Sequence, residues 1–262
     1  MLSLRKLQTG YAGATISKQV DIQVRKGEIF ALIGPNGCGK TTLLKTMAGL
    51  LPALGGEVYL AGVPLSRYSQ RELARFRAYL PQIREVPDIT VETLVGHGRF
   101  PHLGFSRQMA AHDRELIRQA MELTGVAQWR HRSVRALSGG ERQQVYLAMT
   151  VAQETPLLLL DEPTTFLDIN NRLAIMGLVK QLNQTGKTIV MTLHDLSDAL
   201  TVAHRVCLMD RNGTICMTDT PERIFASGAI DRVFGVRSEQ VRLRSGRETY
   251  VFTSEELYNR EK

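Results

Sequence analysis

The chain has 262 residues, 43% of them apolar, and a formal net charge of +7, which together exclude a disordered or fibrous protein and indicate a packed core. Its apolar runs are far shorter than the roughly 20 residues of a membrane-spanning helix, and its first residues lack the apolar segment of a secretory signal, so we expect neither a spanning nor an exported chain. The arginines are scattered, so the basic charge alone indicates neither nucleic acid nor lipid as a partner.

The N-terminal third of the chain predicts strands on both sides of a glycine-rich loop. Apolar residues alternate in the early segments, as in half-buried strands, and residues 29–33 form a continuous apolar run, as in a strand buried on both faces. The loop at residues 34–39 leads into a predicted helix at residues 40–50. The predicted strands are 2–7, 20–24, 29–33, 58–60 and one that ends at residues 80–82.

The middle of the chain, from about Thr90 to Val134, predicts helices. Its apolar positions recur at the spacing of one helix face, without the alternation of a strand. We therefore expect a helical subdomain that interrupts the series of strands. The positions that carry this periodicity are Leu116, Ile117, Ala120, Met121 and Leu123.

From residue 156 strands and helices alternate, which predicts a mostly parallel sheet with helices on both faces. Asn212-Gly213 is a strong hairpin turn sequence and is expected to join two antiparallel strands. Residues 241–252 indicate a small appended hairpin. The predicted strands are 157–161, 188–192, 205–209 and 215–217, and the predicted helices are 172–182 and 196–203.

A glycine-rich loop between a predicted strand and a predicted helix indicates phosphate binding. The pattern is G-x-x-x-x-G-K-[ST], in the structural context that a phosphate-binding loop requires. Glycines let backbone N–H groups surround the phosphates, and the helix N-terminus adds positive potential. Lys40 would reach the β- and γ-phosphates, and the Thr41 hydroxyl would ligate Mg²⁺. The candidate nucleotide-binding residues here are Gly34, Pro35, Asn36, Gly37, Cys38, Gly39, Lys40, Thr41 and Thr42.

A carboxylate pair ends the predicted strand at residues 157–161. Asp161 lies at the carboxyl end of that strand, where open parallel sheets bind their ligands, and could hold Mg²⁺ through water. Glu162 would then lie beside the γ-phosphate, where a carboxylate can orient or deprotonate the attacking water. Apolar strands also end in Asp-Glu for purely structural reasons, and the phosphate-binding loop upstream favours the functional interpretation.

A second glycine-containing helix start occurs at residues 137–141. Ser138 and Glu141 have the spacing of a capping box, which is the purely structural interpretation. A capping box does not need Gly139 and Gly140, whose presence suggests a backbone that approaches a ligand closely. Since a helix N-terminus is an anion site, the sequence contains two candidate phosphate-binding helix starts.

These motifs, in their order and spacing, resemble those of the ABC ATPases over residues 1 to about 225. The resemblance implies an α/β fold, the P-loop NTPase fold of the ABC-ATPase type. Such a fold has a mostly parallel core sheet, an N-terminal antiparallel β-subdomain and an α-helical signature subdomain at about residues 90–150. Residues 1–240 would form the nucleotide-binding domain, and residues 241–262 a small C-terminal β-hairpin extension. In family terms the motifs are the Walker A loop, the Q-loop (Gln82), the signature (137–141), Walker B (Asp161-Glu162), the D-loop (Asp168) and the H-loop (His194).

The resemblance also implies a role for each motif. The signature residues of one chain, Ser138 to Glu141, would close over the ATP bound by the phosphate loop of another. A head-to-tail homodimer would then enclose two nucleotides, and Asp168 would belong to the same nucleotide site. Gln82 would sense the γ-phosphate and Mg²⁺, and His194 would contact the γ-phosphate. The implied catalytic residues are Glu162, His194 and Gln82, and the implied metal-contacting residues are Thr41, Gln82 and Asp161.

Two further positions are interpreted through the resemblance. Tyr11 matches the aromatic residue that stacks on adenine, although a tyrosine there is also an ordinary strand-end residue. Glu141 stands where the commonest family signature has Gln, and Glu is a familiar variant among importers.

Residues 90–102 and 164–169 look like the subgroup that serves iron-siderophore, haem and cobalamin importers. The chain would then be the ATP-hydrolysing subunit of a metal-chelate importer, peripheral to the cytoplasmic face of the inner membrane. Its partners would be a second copy, two transmembrane permease subunits and, indirectly, a periplasmic or surface substrate-binding protein. The permease-coupling surface is expected between Gln82 and Phe105, with Arg99 and Phe100 as contacts.

The sequence is also compared here with what other functions would require of it, beginning with the cargo. Molybdate or another metal is an alternative cargo. A soluble ABC ATPase acting on DNA or ribosomes would typically carry a long coiled coil or two cassettes, and this sequence has neither, so no nucleic-acid partner is expected. A regulatory protein that uses ATP only as a ligand is disfavoured because Glu162 and His194 are both present.

Overall fold

The computed structural model describes residues 1–82, 86–104, 108–165, 167–244, 246 and 248–254. The chain forms two compact units, the first made of Met1–Leu65 and Val190–Lys262 and the second of Ser66–Ile189. In the described part of the chain no helix has both the length and the apolar character needed to cross a bilayer.

The secondary-structure elements are numbered along the chain. The strands are β1 Leu2–Tyr11, β2 Ala14–Val24, β3 Ile29–Ile33, β4 Gly55–Leu60, β5 Val63–Pro64, β6 Arg77–Leu80, β7 Leu157–Asp161, β8 Thr188–Thr192, β9 Arg205–Met209, β10 Ile215–Asp219, β11 Val236–Arg242 and β12 Glu248–Ser254. The helices are α1 Lys40–Met47, α2 Gln70–Phe76, α3 Val91–Gly96, α4 Ala111–Leu123, α5 Gly139–Ala152, α6 Ile169–Gln184, α7 Leu196–Val202, α8 Pro221–Ala226 and α9 Ala229–Phe234.

The first unit begins with an antiparallel sheet in the order β2-β1-β4-β5, as predicted for the N-terminal part. Strands β1 and β2 are longer than their sequence patterns indicate, because their register shifts between Leu4 and Leu7 and again beyond Leu7. A β-bulge adds a residue on one strand and so breaks the alternation of apolar and polar positions. Lys6 and Gln19 adopt positive φ at these irregularities.

The first unit also contains three strands of the core sheet. Strand β3 is buried at all five residues and pairs in parallel with β9, which in turn pairs antiparallel with β10. The turn between β9 and β10 contains Gly213 at φ 77°, which confirms the predicted hairpin at Asn212-Gly213. The predicted helix at residues 40–50 ends at Met47, and Gly49 follows at φ 68°.

The C-terminal hairpin is formed by β11 and β12 in regular antiparallel register. It begins at Val236 rather than at residue 241, and the predicted turn residue Ser245 lies outside the described residues. Tyr250 anchors the hairpin, since its ring is buried and lies 4.9 Å from that of Phe225. The Ser197 hydroxyl donates to the Tyr250 carbonyl at 2.6 Å.

The second unit combines two parallel strands with the predicted helices. Strands β6 and β7 are in register from Arg77↔Leu157 to Leu80↔Leu160, and β7 is buried along its whole length. Helices α3 and α4 both contact α5, which confirms a helical region in the middle of the chain. Helix α2 was not predicted, although Ser69 and Glu72 form a complete capping box at its start.

Candidate functional site

The phosphate loop in the first unit has the backbone conformation that its glycines allow. Gly39 precedes α1 at φ 99°, and a Cβ there would lie 2.3 Å from Cγ2 of Ile16. A Cβ on Gly34 would approach the Met209 carbonyl to 2.7 Å. Neither position can therefore hold a side chain, and the strands beside the loop fix its path.

Lys40 is the buried cation of this loop. Its side chain is 5% exposed, and Nζ donates to the carbonyls of Gly34 at 2.7 Å and Pro35 at 3.1 Å. The first turn of α1 contains no acidic residue, so the positive helix N-terminus is not neutralised locally. Burial raises the pKa of the neighbouring Cys38 thiol, an effect that the charge of Lys40 opposes. The loop is thus a cationic cradle suited to phosphate.

Two further predicted site residues lie in the first unit. Tyr11 ends β1 with half of its side chain exposed, so its ring is available to stack on a planar ligand. His194 is exposed just after β8, where the Leu193 N–H donates to the Leu32 carbonyl at 3.2 Å. That bond ties the start of the His194 loop to the strand that leads into the phosphate loop.

In the second unit, Asp161 ends β7 with its side chain only 1% exposed. The Tyr79 hydroxyl donates to Oδ2 of Asp161 at 2.9 Å. A buried carboxylate without hydrogen-bond donors would be costly, and this bond supplies one donor.

Glu162 follows at φ 50°, a left-handed conformation that is uncommon for a residue with a side chain. Its Oε2 accepts hydrogen bonds from the Gln82 amide and, at 3.0 Å, from the Thr165 hydroxyl. The structure thus brings Gln82 and Glu162 together, as two adjacent motifs of one site would require. The side chain of Glu162 is 7% exposed, so the carboxylate is held in a largely water-excluded place.

The signature segment forms the capping box that its sequence predicts. Ser138 N donates to Glu141 Oε2 at 2.7 Å, and Glu141 N donates to Ser138 Oγ at 3.3 Å. The N–H and then the hydroxyl of Ser138 lower the pKa of Glu141. Ser138 and Gly139 are exposed, so this helix start is open to a ligand.

The two signature glycines differ in what surrounds them. A Cβ on Gly140 would lie 2.6 Å from Nδ2 of Asn171, so a side chain there would require Asn171 to move. A Cβ on Gly139 would have no neighbour within 4 Å. The space beside Gly139 is therefore open to a ligand, and the ligand contacts predicted for Gly139 and Gly140 stay predictions.

Asp168 and Gln143 connect the motifs of the second unit. Asp168 caps α6, accepting from Asn171 N at 2.8 Å and from Asn171 Nδ2 at 3.1 Å. Gln143, on the signature helix, donates to the Pro163 carbonyl at 2.6 Å, next to Glu162. The signature helix and the Asp161-Glu162 segment are thus joined by a buried hydrogen bond.

Arg99 does not lie on the surface, contrary to its predicted role as a permease contact. Its side chain is 3% exposed and forms ion pairs with Asp113 at 3.0 Å and Glu154 at 3.4 Å. It also donates to the Ala152 carbonyl at 2.9 Å. Phe100, in contrast, is 54% exposed. Of the segment predicted to couple, residues 83–85 and Phe105 lie outside the described residues.

Each unit contains an oxygen donor of the type that binds a magnesium ion. Mg²⁺ in nucleotide sites usually takes one or two protein ligands and completes its octahedron with water and phosphate oxygens. The Asp161 carboxylate and the Thr41 hydroxyl are donors of that hard-oxygen type. A protein-only cage of three or more His, Cys, Asp or Glu side chains is not found within the described ranges.

Sequence reasoning missed Tyr79 and Thr165, which contact the two carboxylates. Thr165 is three residues from Glu162, so the turn that joins them could have been suspected. Tyr79 is 82 residues from Asp161 in sequence. Only the pairing register of β6 and β7 brings them together.

Comparison with known proteins identifies clear relatives. The family described as ABC transporter matches residues 17–165. The iron(3+)-hydroxamate import ATP-binding protein of Bacillus subtilis (strain 168) is 41% identical over 242 residues, covering 92% of this chain and 90% of that protein.

Solved structures extend the likeness to the fold. An inward-facing transporter described as of the metal-chelate ABC type matches with a TM-score of 0.84 at 26% identity, covering 98% of each chain. A dimeric ATP-binding cassette in a post-hydrolysis state, bound to ADP and phosphate, matches with a TM-score of 0.75 at 25% identity, covering 84% of this chain and 99% of that one. These likenesses confirm the predicted fold class.

Proposed function

This chain belongs to the ABC transporter family and is an ATPase, and from that premise we propose that it powers uptake of a metal chelate through a separate permease. The cargo class is that of iron-siderophore, haem and cobalamin importers. Its support is the 41% identical relative named for iron(3+)-hydroxamate import. Hydrolysis is supported by one observation above all, the buried Glu162 carboxylate that Gln82 and Thr165 hold beside Asp161.

The phosphate loop binds the nucleotide in this proposal. Lys40 Nζ would exchange its two backbone carbonyl partners for the β- and γ-phosphates, and the N–H groups of Gly34 and residues 36–41 would surround the phosphates. Thr42 extends the same helix start, and Tyr11 stacks on the adenine.

Thr41, Asp161 and Gln82 would hold the metal ion. When bound, Mg²⁺ neutralises charge on the phosphate oxygens. Asp161 contributes through a carboxylate whose position is fixed by Tyr79. Gln82 would release Glu162 when it turns towards the metal and the γ-phosphate.

Glu162 would orient the attacking water and accept its proton, because its carboxylate is ionisable, restrained and shielded from bulk solvent. His194 would contact the γ-phosphate. The exposed helix start at Ser138 and Gly139 would complete the site of a second copy, with Asp168 nearby, so the working form would be a homodimer.

A cavity in the second unit is the proposed permease-coupling site. It has a volume of about 380 Å³ and lies between α3, α4 and the turn at His97–His102. Phe100 forms part of its wall and stacks on His97 with ring centroids 4.6 Å apart. The chain would thereby be held at the cytoplasmic face of the membrane. The lining residues are Glu92, Thr93, Gly96, His97, Phe100, Met109, Arg114 and Ile117.

The proposal is tested by Glu162→Gln in cells and in purified protein. The amide keeps the shape of the side chain but cannot accept the proton, so turnover should fall by about 10²-fold or more while ATP binding persists. Uptake of radioactive iron-siderophore should fall in parallel, and the permease should still co-purify. Glu239→Gln, the same change on the exposed face of β11, is the matched control and should leave each assay unchanged.

Two results would contradict the proposal. Near-normal turnover of Glu162→Gln would remove Glu162 from the catalytic role. Normal uptake of every chelate tested in cells that lack the chain, with binding to DNA that weakens at higher salt, would indicate a non-transport ATPase instead.

A further inference from the structure

Strands β6 and β7 place a tyrosine hydroxyl on the carboxylate that ends β7. Tyr79 pairs with Leu159 in parallel register, and Leu159 and Asp161 lie on one face because side chains alternate along a strand. Tyr79 and Asp161 are therefore diagonal neighbours on the same face. A tyrosine is long enough to span that diagonal, and its hydroxyl donates to Oδ2 at 2.9 Å.

The bond is directional and partly shielded from water. Asp161 is 1% exposed, whereas the tyrosine ring is half-buried and so has limited freedom to turn away. Fixing one oxygen of a carboxylate fixes the plane of the whole group, including the direction of the other oxygen. Outer-shell partners of this kind orient metal-binding carboxylates and are worth about 10–100-fold in metal affinity.

We propose that Tyr79 is a positioning residue that orients the Asp161 carboxylate for the magnesium ion of bound ATP. The proposal rests on the proposed function, since it assumes that Asp161 serves the metal. In this role Tyr79 acts through the Asp161 carboxylate, to which its hydroxyl donates.

The same strand end supplies a second restraint of the same kind. Gln82, just beyond β6, donates to Glu162, just beyond β7. The end of β6 thus restrains both carboxylates, one through a phenol and one through an amide. An amide can rotate towards a new partner, whereas the phenol of Tyr79 is held by its ring within the strand, so Tyr79 supplies the fixed part of the arrangement.

The test is the Mn²⁺ affinity of the full-length chain with ATP bound, followed by the electron paramagnetic resonance signal of free Mn²⁺. Tyr79→Phe removes only the hydroxyl and should weaken Mn²⁺ binding by about 10-fold or more. Binding of trinitrophenyl-ATP in EDTA should be unchanged, because the nucleotide then meets no metal. Tyr59→Phe is the matched control, since it removes a phenol that donates to a different carboxylate, Glu57.

Combining Tyr79→Phe with Asp161→Asn tests whether the tyrosine acts through the aspartate. If it does, Tyr79→Phe should change the Mn²⁺ affinity of the Asp161→Asn chain by less than about 2-fold, since contacting residues are not additive. Equal losses in both backgrounds would overturn the proposal. Unchanged or tighter Mn²⁺ binding by Tyr79→Phe would overturn it as well. If the unaltered chain does not bind Mn²⁺ with ATP, the proposed function itself has failed.

A measurement on the intact side chain covers the case in which Tyr79→Phe does not fold. In the full chain labelled with 3-fluorotyrosine, one ¹⁹F resonance should shift on Asp161→Asn and the same resonance should shift when Mg²⁺ is added to the ATP-bound chain. A tyrosine that responds to both changes supports the proposal. If no resonance responds to both, the proposal is wrong.

Discussion

At the candidate catalytic centre, the backbone and the side chain of Glu162 are both restrained. Its φ of 50° is one of five positive φ values at non-glycine residues in the described part of the chain, and the others lie outside the motifs. Such a conformation costs about 1–3 kcal/mol and persists only where surrounding contacts impose it. The contacts around Glu162 include those of Gln82 and Thr165 with a single carboxylate oxygen.

Thr165 should therefore contribute to turnover without touching the nucleotide. Thr165→Val keeps the shape of the side chain and removes the donor, and kcat should fall about 10-fold because a hydrogen bond to a charged group is worth about 1.5–3 kcal/mol. Thr165→Ser keeps the donor and should stay within about 3-fold of the original rate. The measurement is steady-state ATPase kinetics with separate kcat and KM. Equal losses in the two variants would show that the methyl group, not the hydroxyl, matters.

At this scale the sequence identified the residues that carry chemistry but not those that position them. Lys40, Asp161 and Glu162 belong to short patterns in which neighbours along the chain also meet in space. Tyr79 contacts Asp161 across the pairing of β6 with β7, and no local sequence pattern indicates such a contact. Gly140 was predicted to approach a ligand, and the structure adds that a Cβ there would crowd Asn171, a contact that the sequence pattern does not indicate.

The short turn at His97–His102 is anchored by one buried side chain and exposes the next one to solvent. Arg99 points inward to Asp113, Glu154 and the Ala152 carbonyl. Burial opposes ionisation of Asp113, but donation from the Ala110 N–H and from the Arg99 guanidinium outweighs it and lowers the pKa of Asp113. The exposed Phe100 follows directly.

Substitutions of the neighbouring residues Arg99 and Phe100 should therefore have different effects, the first on folding and the second on coupling to the permease. Arg99→Glu places a carboxylate at a buried position beside Asp113 and Glu154 and should cost about 3–5 kcal/mol, lowering Tm by on the order of 10 °C. Phe100→Ala should leave Tm and the ATPase of the isolated chain nearly unchanged but lower transport and permease-stimulated hydrolysis. Differential scanning calorimetry and reconstituted uptake measure the two effects. Undiminished transport by Phe100→Ala would place the coupling contact elsewhere.

Element boundaries were predicted well where one periodicity continues and poorly where it is interrupted. Strand β3 and helix α4 follow their patterns closely, since one is uniformly apolar and the other has a single buried stripe. Strands β1 and β2 exceed their patterns because bulges reset the alternation. Helices α8 and α9 were missed, since six residues each contain too few turns for a helical period to be recognised.

For the molecule as a whole, the main question is whether two copies share each nucleotide. Lys40→Ala should be nearly inactive because the phosphates lose their countercharge, and Ser138→Arg because bulk enters an exposed helix start. In a mixed dimer both lesions would fall in one site and the other site would be intact. Random pairing makes about half of the dimers mixed, so mixing the two proteins should restore roughly a quarter of the turnover if sites act independently.

The control for this experiment is direct proof that subunits exchange, for example by energy transfer between labelled copies. No recovery after verified exchange would mean either that the site is not shared or that both sites must be intact. Vanadate trapping distinguishes these two explanations. One trapped nucleotide per mixed dimer indicates that the site is shared and binds nucleotide, but that turnover requires both sites of the dimer to be intact.

The pairing of β3 with β9 also affects how the protein is made. The N–H of Ile29 donates to His204 across 175 residues of sequence, and a ribosome adding about 5–20 residues per second needs roughly 10–35 s to synthesise that stretch. During this time β3 (Ile29–Ile33), which is buried at every residue in the folded protein, cannot yet pair with β9. The yield of folded protein should thus depend more on chaperone supply and growth temperature than on the stability of the completed fold.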